Sequence, residues 1–237
     1  MKKRVHLVYL YPAEMNTYGD WGNVLCLIQR MKWRGLQIDV TEYHPGDVWP
    51  KNIDMLFMGG GQDSGQNLIL KDFHKQGDNL VSAIEAGVPT LAICGAYQLL
   101  GHYFLTSSGQ RLEGLGVFDL YTRAEAGRLI GNTIVDSPAF GTLIGFENHS
   151  GRTVLHDGAV ALGHVTQGEG NNGHDKTEGI MYKNAIGTYL HGSFLPKNPR
   201  VADKLIADAV GVTVQDLPIL KDSYITLARK ASKARPR

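Results

Sequence analysis

The sequence predicts an α/β protein, a mostly parallel sheet flanked by helices in the flavodoxin-like manner. Three observations carry this. Short apolar runs alternate with helical patterns through the first hundred residues, and strand–helix–strand order implies parallel pairing through right-handed crossovers. Glycine occurs 29 times in 237 residues, which suits many tight strand-to-helix turns. A chain that is 43% hydrophobic and 20% charged buries one substantial core and is not disordered.

Val5 to Leu10 reads as a buried strand. Asp20 to Trp33 carries apolar residues at Val24, Ile28 and Met31, with Leu25 and Leu27 beside them, and stops before Gly35, the pattern of a helix. Ile38 and Val40 belong to a second strand, and Met55 to Met58 forms a third, ended by Gly59-Gly60-Gly61. Asn79 to Ala86 is helical, closed by Gly87 with Pro89 just beyond. Thr90 to Ile93 is a fourth strand and Tyr97 to Phe104 the helix that follows it. The second half changes texture. Val117 to Thr122, Thr133 to Val135, Leu143 to Phe146, Thr153 to Leu155, Ile180 to Tyr182 and Ala185 to Leu190 are short strand-like pieces separated by Gly, Asn and Asp. They read as further strands, partly antiparallel, added to the same sheet. Val201 to Val210 is a closing helix. With no repeat, Pro-rich linker or low-complexity segment, residues 4–210 are expected to form one domain and 211–237 a C-terminal extension.

The net charge of +1 gives no reason to expect nucleic acid as a partner. The one basic bias is the tail, with Arg229, Lys230, Lys233, Arg235 and Arg237, which reads as a solvated end. Cys26 and Cys94 lie too far apart in sequence to form a disulfide framework. The N-terminus opens like a signal peptide, but its apolar stretch holds His6 and meets Pro12 and Glu14 too early for one. No apolar run reaches membrane-spanning length, so no membrane insertion and a cytoplasmic location are expected.

The most informative stretch is Thr90-Leu-Ala-Ile-Cys94-Gly-Ala-Tyr-Gln98. An aliphatic strand runs straight into Cys, then Gly, then a helix. Such a turn lifts the Cys side chain out of the sheet, as in a nucleophile elbow. The helix N-terminus lowers the thiol pKa and offers free N–H groups to a developing oxyanion. Cys26, on an apolar helical face, reads as core. A thiol nucleophile needs a base. His191 is the first candidate, since it follows the Ala185 to Leu190 strand at the edge where α/β sites form; His149, in Gly145-Phe-Glu-Asn-His149, is the second. The Gly59 to Gly61 run matches neither a P-loop nor a dinucleotide fingerprint, but its backbone amides could serve an oxyanion beside Cys94.

Together these pieces resemble the class I glutamine amidotransferases, in their cobyric-acid-synthase-like branch. The carrying motifs are Phe57-Met-Gly-Gly-Gly-Gln-Asp63, Ala92-Ile-Cys-Gly-Ala-Tyr-Gln-Leu-Leu-Gly101, Gly145-Phe-Glu-Asn-His149 and Gly187-Thr-Tyr-Leu-His-Gly192. Three more, Met15-Asn-Thr-Tyr-Gly-Asp-Trp-Gly-Asn23, Gly168-Glu-Gly-Asn-Asn172 and Tyr182-Lys-Asn184, are similar to the glutaminase subunits that serve amidation of the D-glutamate of lipid II. The resemblance implies Cys94 as nucleophile, His191 as base, and an oxyanion hole from Gly60, Gly61 and Gly95. It implies that Arg128 holds the α-carboxylate of L-glutamine, which a guanidinium can grip bidentately, and that Gln98 faces the ligand. It implies a heterodimer with an ATP-dependent Mur-ligase-like subunit, since this chain has no ATP-binding motif. No cofactor and no metal are expected. Two departures stand out. Ala96 replaces a common second Gly, and Ser193 stands where many relatives have the Glu that orients the histidine. A Cys–His dyad, or an orienting group from elsewhere such as Asp20 or the partner, is then expected. The other readings of the same elbow are a stand-alone cysteine hydrolase of glutamyl substrates and a non-catalytic partner-binding module.

Overall fold

The computed structural model describes residues 2–235. Met1, which begins the signal-like opening, and Arg237, the last residue of the basic tail, lie outside the described residues together with Pro236. The chain runs β1 (Arg4–Leu10), α1 (Trp21–Trp33), β2 (Gln37–Tyr43), β3 (Met55–Met58), α2 (Asp63–Lys75), α3 (Gly77–Glu85), β4 (Thr90–Ile93) and α4 (Gly95–Leu99). It continues through β5 (Tyr103–Leu105), β6 (Arg111–Glu113), β7 (Leu120–Ser137), β8 (Gly141–Leu155), β9 (Gly163–Gln167), β10 (Thr177–Glu178), β11 (Ile180–Tyr182) and β12 (Ala185–Thr188), and closes with α5 (Phe194–Lys197), α6 (Pro199–Val210) and α7 (Ser223–Lys233).

The first sheet has the order β11-β12-β4-β3-β1-β2. Every neighbouring pair is parallel except β11 with β12. Its inner strands β1, β3, β4 and β12 are covered on both faces, so they read as unbroken apolar runs, whereas the edge strand β2 alternates and is partly exposed. Val5, Leu7 and Tyr9 enter one core with Val24, Leu27 and Met31 of α1 and the inner residues of α6. Val8 and Leu10 point the other way, into a second core with Leu80 and Ile84 of α3 and Ile69 and Phe73 of α2. In α1 the buried residues Val24, Leu27 and Met31 recur at helical spacing, and Gly35 (φ +68°) then lets the chain reverse into β2.

Three expectations need correction. The strand pieces between Val117 and Leu155 do not extend the first sheet. They lie in a second sheet, of order β10-β9-β7-β5-β6 with β8 paired to β7. Thr133 to Val135, Leu143 to Phe146 and Thr153 to Leu155 are parts of two long antiparallel strands, β7 with 18 residues and β8 with 15. The glycines that seem to divide them are there for close packing. A Cβ on Gly145 would lie 2.5 Å from Leu190 Cβ, and one on Gly151 would lie 2.6 Å from Gln98 Nε2. The second sheet thus leans directly on the first, and an isolated antiparallel bridge joins Phe146 to His191. The helix expected over Tyr97 to Phe104 ends at Leu99, and the chain turns into β5. There a Cβ on Gly101 would meet Leu120 Cδ1 at 2.2 Å, and His102 N donates to Leu120 O. Finally, α2 follows the Gly59 to Gly61 run, a helix whose pattern the sequence reading did not single out. None of the described helices is long and apolar enough to cross a membrane.

Candidate active site

β4 ends on Cys94, which adopts φ 51° and ψ −101°. That left-handed, strained backbone is costly for a residue with a Cβ and persists only where the surroundings impose it. The Cys94 N–H donates to Thr188 O at 2.8 Å. β4 and β12 are parallel with Ile93 opposite Thr188, so the two chains leave the sheet side by side. Three residues past β12 stands His191, fully buried, its N–H donating to Phe146 O at 2.8 Å. Cys94 and His191 are therefore brought together by strand register, although 97 positions separate them in the chain.

The group that faces the far nitrogen of the ring is Asp20, also fully buried. His191 Nδ1 lies 3.3 Å from each Asp20 oxygen; with a carboxylate there, Nδ1 carries the proton and donates. Among the described residues no nitrogen or oxygen pairs with His191 Nε2, which leaves it for the sulfur of Cys94 and a substrate. Burial alone would disfavour a charged ring, but the sulfur of Cys94 and the Asp20 carboxylate outweigh it and hold the His191 pKa well above its ordinary value. Tyr18 meets the ring edge-on at 5.0 Å.

Gly60 makes this convergence possible. A Cβ there would lie 2.6 Å from His191 Cε1, 3.2 Å from Asp20 Oδ2 and 3.3 Å from Cys94 Cβ. Its amide, expected to serve an oxyanion, instead donates to Asp20 Oδ2 at 2.7 Å. Gly61 and Gly95 press against each other: a Cβ on Gly95 would sit 2.8 Å from Gly61 O and 2.9 Å from Gly61 N. Ser193, at the position where relatives carry a glutamate, turns away and donates to Gly19 O at 2.9 Å. It fits only because residue 22 is glycine, where a Cβ would fall 2.1 Å from its Oγ.

Cys94 opens into a cavity of about 450 Å³ whose wall includes Gly61, Gln66, Gln98, Arg128 and His149. Gln98 is buried and engaged on both sides, accepting from Gln66 Nε2 at 3.0 Å and donating to Tyr189 Oη at 3.0 Å. Arg128 sits at the β7 register shift between Ala124 and Leu129, exposed, and donates to Asn148 Oδ1 and to Asn148 O. His149 is not a rival base for Cys94. Its ring is stacked on Tyr189 at 3.6 Å, and Nδ1 donates to Gly151 O at 2.8 Å. Burial lowers its pKa to about 3, so it is neutral, and the proton on Nδ1 leaves Nε2 a lone pair without a partner. Gln66 is similar. Its Nε2 is fixed by Gly61 O at 3.3 Å, which leaves Oε1 an unpartnered acceptor. Nothing in the sequence singles out Gln66 or Tyr189, because the residue that ties both to the site, Gln98, lies far from each in the chain.

The family model of the CobB/CobQ-like glutamine amidotransferase domain matches residues 6–199. The chain is 47% identical over 197 residues to the lipid II isoglutaminyl synthase (glutamine-hydrolyzing) subunit GatD of Staphylococcus aureus, covering 83% of this chain and 80% of that one. It is 39% identical over 211 residues to the subunit of the same name from Streptococcus pneumoniae, covering 87% and 81%. A probable cobyric acid synthase of Methanothermobacter thermautotrophicus is 29% identical over 60% of this chain. Among solved structures, a glutamine amidotransferase from Thermotoga maritima superposes with a TM-score of 0.55 at 16% identity, covering 97% of this chain and 93% of that one; at that identity the likeness speaks for the fold alone. With a family model spanning most of its length and relatives matched over at least 80% of either chain, this chain belongs to the CobB/CobQ-like glutamine amidotransferases.

Proposed function

We propose that the chain is the glutamine-hydrolysing subunit of a lipid II isoglutaminyl synthase. The observation that carries the reading is the Cys94–His191–Asp20 arrangement, with His191 and Asp20 fully buried and Cys94 opening into a cavity of about 450 Å³, in a chain 47% identical to a subunit of that name.

The Cys94 thiolate attacks the side-chain carboxamide carbon of L-glutamine. The oxyanion is held by Gly61 and by the first-turn amides of α4, at Gly95 or Ala96, which have no partner within the helix. Protonated His191, steadied by Asp20, gives its Nε2 proton to the leaving nitrogen, and ammonia departs. Water then attacks the γ-glutamyl thioester with neutral His191 as base, releasing glutamate and restoring the thiol. Arg128 takes the α-carboxylate, and the lone pairs of His149 Nε2 and Gln66 Oε1 accept from N–H groups of the substrate. Gln98 acts from behind by holding Gln66.

Ammonia freed into neutral water becomes ammonium and loses its nucleophilic lone pair. Using it requires a complex with an ATP-dependent ligase, here a Mur-ligase-like partner that activates the D-glutamate carboxylate of lipid II. Free glutamine and ATP make the cytoplasm the setting. The test is labelling by a glutamine-mimicking electrophile. Wild-type protein forms one adduct at Cys94 with loss of glutaminase turnover, whereas Cys94→Ala forms none and is inactive. Turnover that survives in Cys94→Ala removes the assignment, and adduct formation with glutamyl peptides but not with glutamine favours a stand-alone hydrolase.

A further inference from the structure

Outside the Cys94 cavity, three exposed side chains from three segments aim at one point. His102 Nε2 lies 2.8 Å from Asp119 Oδ1, and His156 Nδ1 lies 2.7 Å from the same oxygen. All three donor atoms fall within 4.8 Å of one another. The side chains are 43%, 55% and 44% exposed, so an ion and its waters can reach them. None of the three lines the catalytic cavity.

The ring geometry bears on which ligand suits the cluster. Two imidazoles bound through nitrogen at about 2.05 Å to one tetrahedral zinc have ring centres about 5 Å apart. The His102 and His156 rings are 5.3 Å apart, nearly parallel at 24°. Hydrogen-bond spacing to the carboxylate is slightly short for ligand-to-ligand spacing around a metal, about 3.3 Å for bonds of this length. An exposed aspartate can open that gap by a small rotation. The backbone beneath is fixed: His102 N donates to Leu120 O, His156 N donates to Asp119 O, and Gly114 N donates to His102 O.

We propose that His102, Asp119 and His156 form a binding site for a divalent transition metal of the zinc class, with water in the remaining positions. Two imidazoles and one carboxylate select zinc-like ions over magnesium or calcium, which take oxygen donors. The bound ion ties the turn after α4 to the start of β7 and the end of β8. It thereby braces the elbow helix against the second sheet. Among the described residues no protein acceptor faces the ring nitrogens that would remain free, so no hydrogen bond orients the imidazoles from behind. That argues for micromolar rather than nanomolar affinity. Spacings of 17 and 37 positions match no short metal motif, which is why the sequence carries no metal signal.

The test is calorimetric titration of the full-length chain with zinc chloride. A Cys94→Ala background removes the cavity thiol as a competing ligand. One ion per chain is expected, with a dissociation constant on the order of micromolar and a raised melting temperature. Since loss of an orienting partner alone costs about 10–100-fold in metal affinity, His102→Gln and His156→Gln should each cost at least about 100-fold. Circular dichroism of the metal-free variants checks that these surface changes leave the fold intact, and Asp119→Asn provides a third variant should either imidazole change disturb it. Cobalt in place of zinc should give a visible absorption band that the variants lack. No saturable uptake up to about millimolar zinc, or an isotherm unchanged in the variants, overturns the proposal.

Discussion

A buried aspartate beside a buried histidine makes the ring both a better base and a more strongly held acid, and here Asp20 serves His191 across 171 positions of sequence. Asp20→Asn keeps the shape but removes the charge that steadies imidazolium and fixes the proton on Nδ1. It should lower kcat for glutamine hydrolysis about 100-fold, the scale of a general acid–base contribution, with little change in electrophile binding at saturation. The cavity histidine gives a second, independent readout. His149 keeps its ring neutral down to about pH 3 when folded, whereas the unfolded ring takes a proton near 6.5. Above about pH 6.5 both states are neutral and the folded form loses nothing. Below it the unfolded state binds the extra proton, so stability falls by about 1.4 kcal/mol per pH unit as the pH drops toward the folded pKa. Between pH 7 and pH 5 the wild type should lose about 2 kcal/mol more in urea unfolding than His149→Gln. At this scale much was legible. A Cys between an aliphatic strand and a Gly-led turn has few other uses, and a His just past a strand lies at the productive edge. The choice of Asp20 over the partner was not legible, because it depends on which loop crosses the sheet at Gly60.

The elements put these side chains in place through one buried acid. Glu178 closes β10 and accepts from Thr188 Oγ1 at 2.6 Å and Tyr189 N at 2.8 Å, gripping the end of β12 just before His191. Its other oxygen has no partner. Burial raises its pKa to about 7, against the bonds from Thr188 and Tyr189 that favour the charge. The unfolded carboxyl loses its proton near 4.5, so the Glu178 contribution is most favourable below that pH and is lost as the pH rises through 7. Glu178→Gln cannot ionise. It should therefore gain about 2 kcal/mol relative to wild type between pH 5 and pH 8, read from denaturation midpoints at the two pH values. Motifs that carried the family resemblance turn out to be architectural here. Asn171 accepts from Tyr97 Oη and Gly179 N, and Asn184 donates to Gly87 O. The inner parallel strands of the first sheet were legible because burial on both faces writes an apolar run. The second sheet was not, since Gly145 and Gly151 look like strand ends in one dimension and are contact points in three. α4 was read too long for the same reason, as Gly101 ends it to make room for Leu120.

At the scale of the molecule, the first helix and the last two are fastened chiefly through one guanidinium. Arg30 is 1% exposed, yet it donates to both oxygens of Asp203 on α6 and both oxygens of Asp222, which precedes α7. Arg34, one turn later, adds a second contact to Asp203 and donates to Pro218 O. α7 is further tied to the second sheet where Arg229 donates to Thr142 O at 2.6 Å. These bonds fix the C-terminal segment on the body of the fold, a connection that composition could not reveal because the tail looks merely basic. A buried cation with two carboxylates is costly to desolvate, and removing it alone takes the cation from Asp222 and leaves Asp203 with Arg34 only. Arg30→Met fills much of the volume but strands Asp222, while Asp203 keeps Arg34. It should lower the unfolding free energy by about 3 kcal/mol, seen as a shifted urea midpoint with an unchanged slope. Adding Asp222→Asn to Arg30→Met removes the stranded charge and leaves the Arg34–Asp203 pair intact, so it should recover most of that loss. If the double variant is no more stable than Arg30→Met, the helices are joined by packing and the Arg30–Asp222 pair contributes nothing.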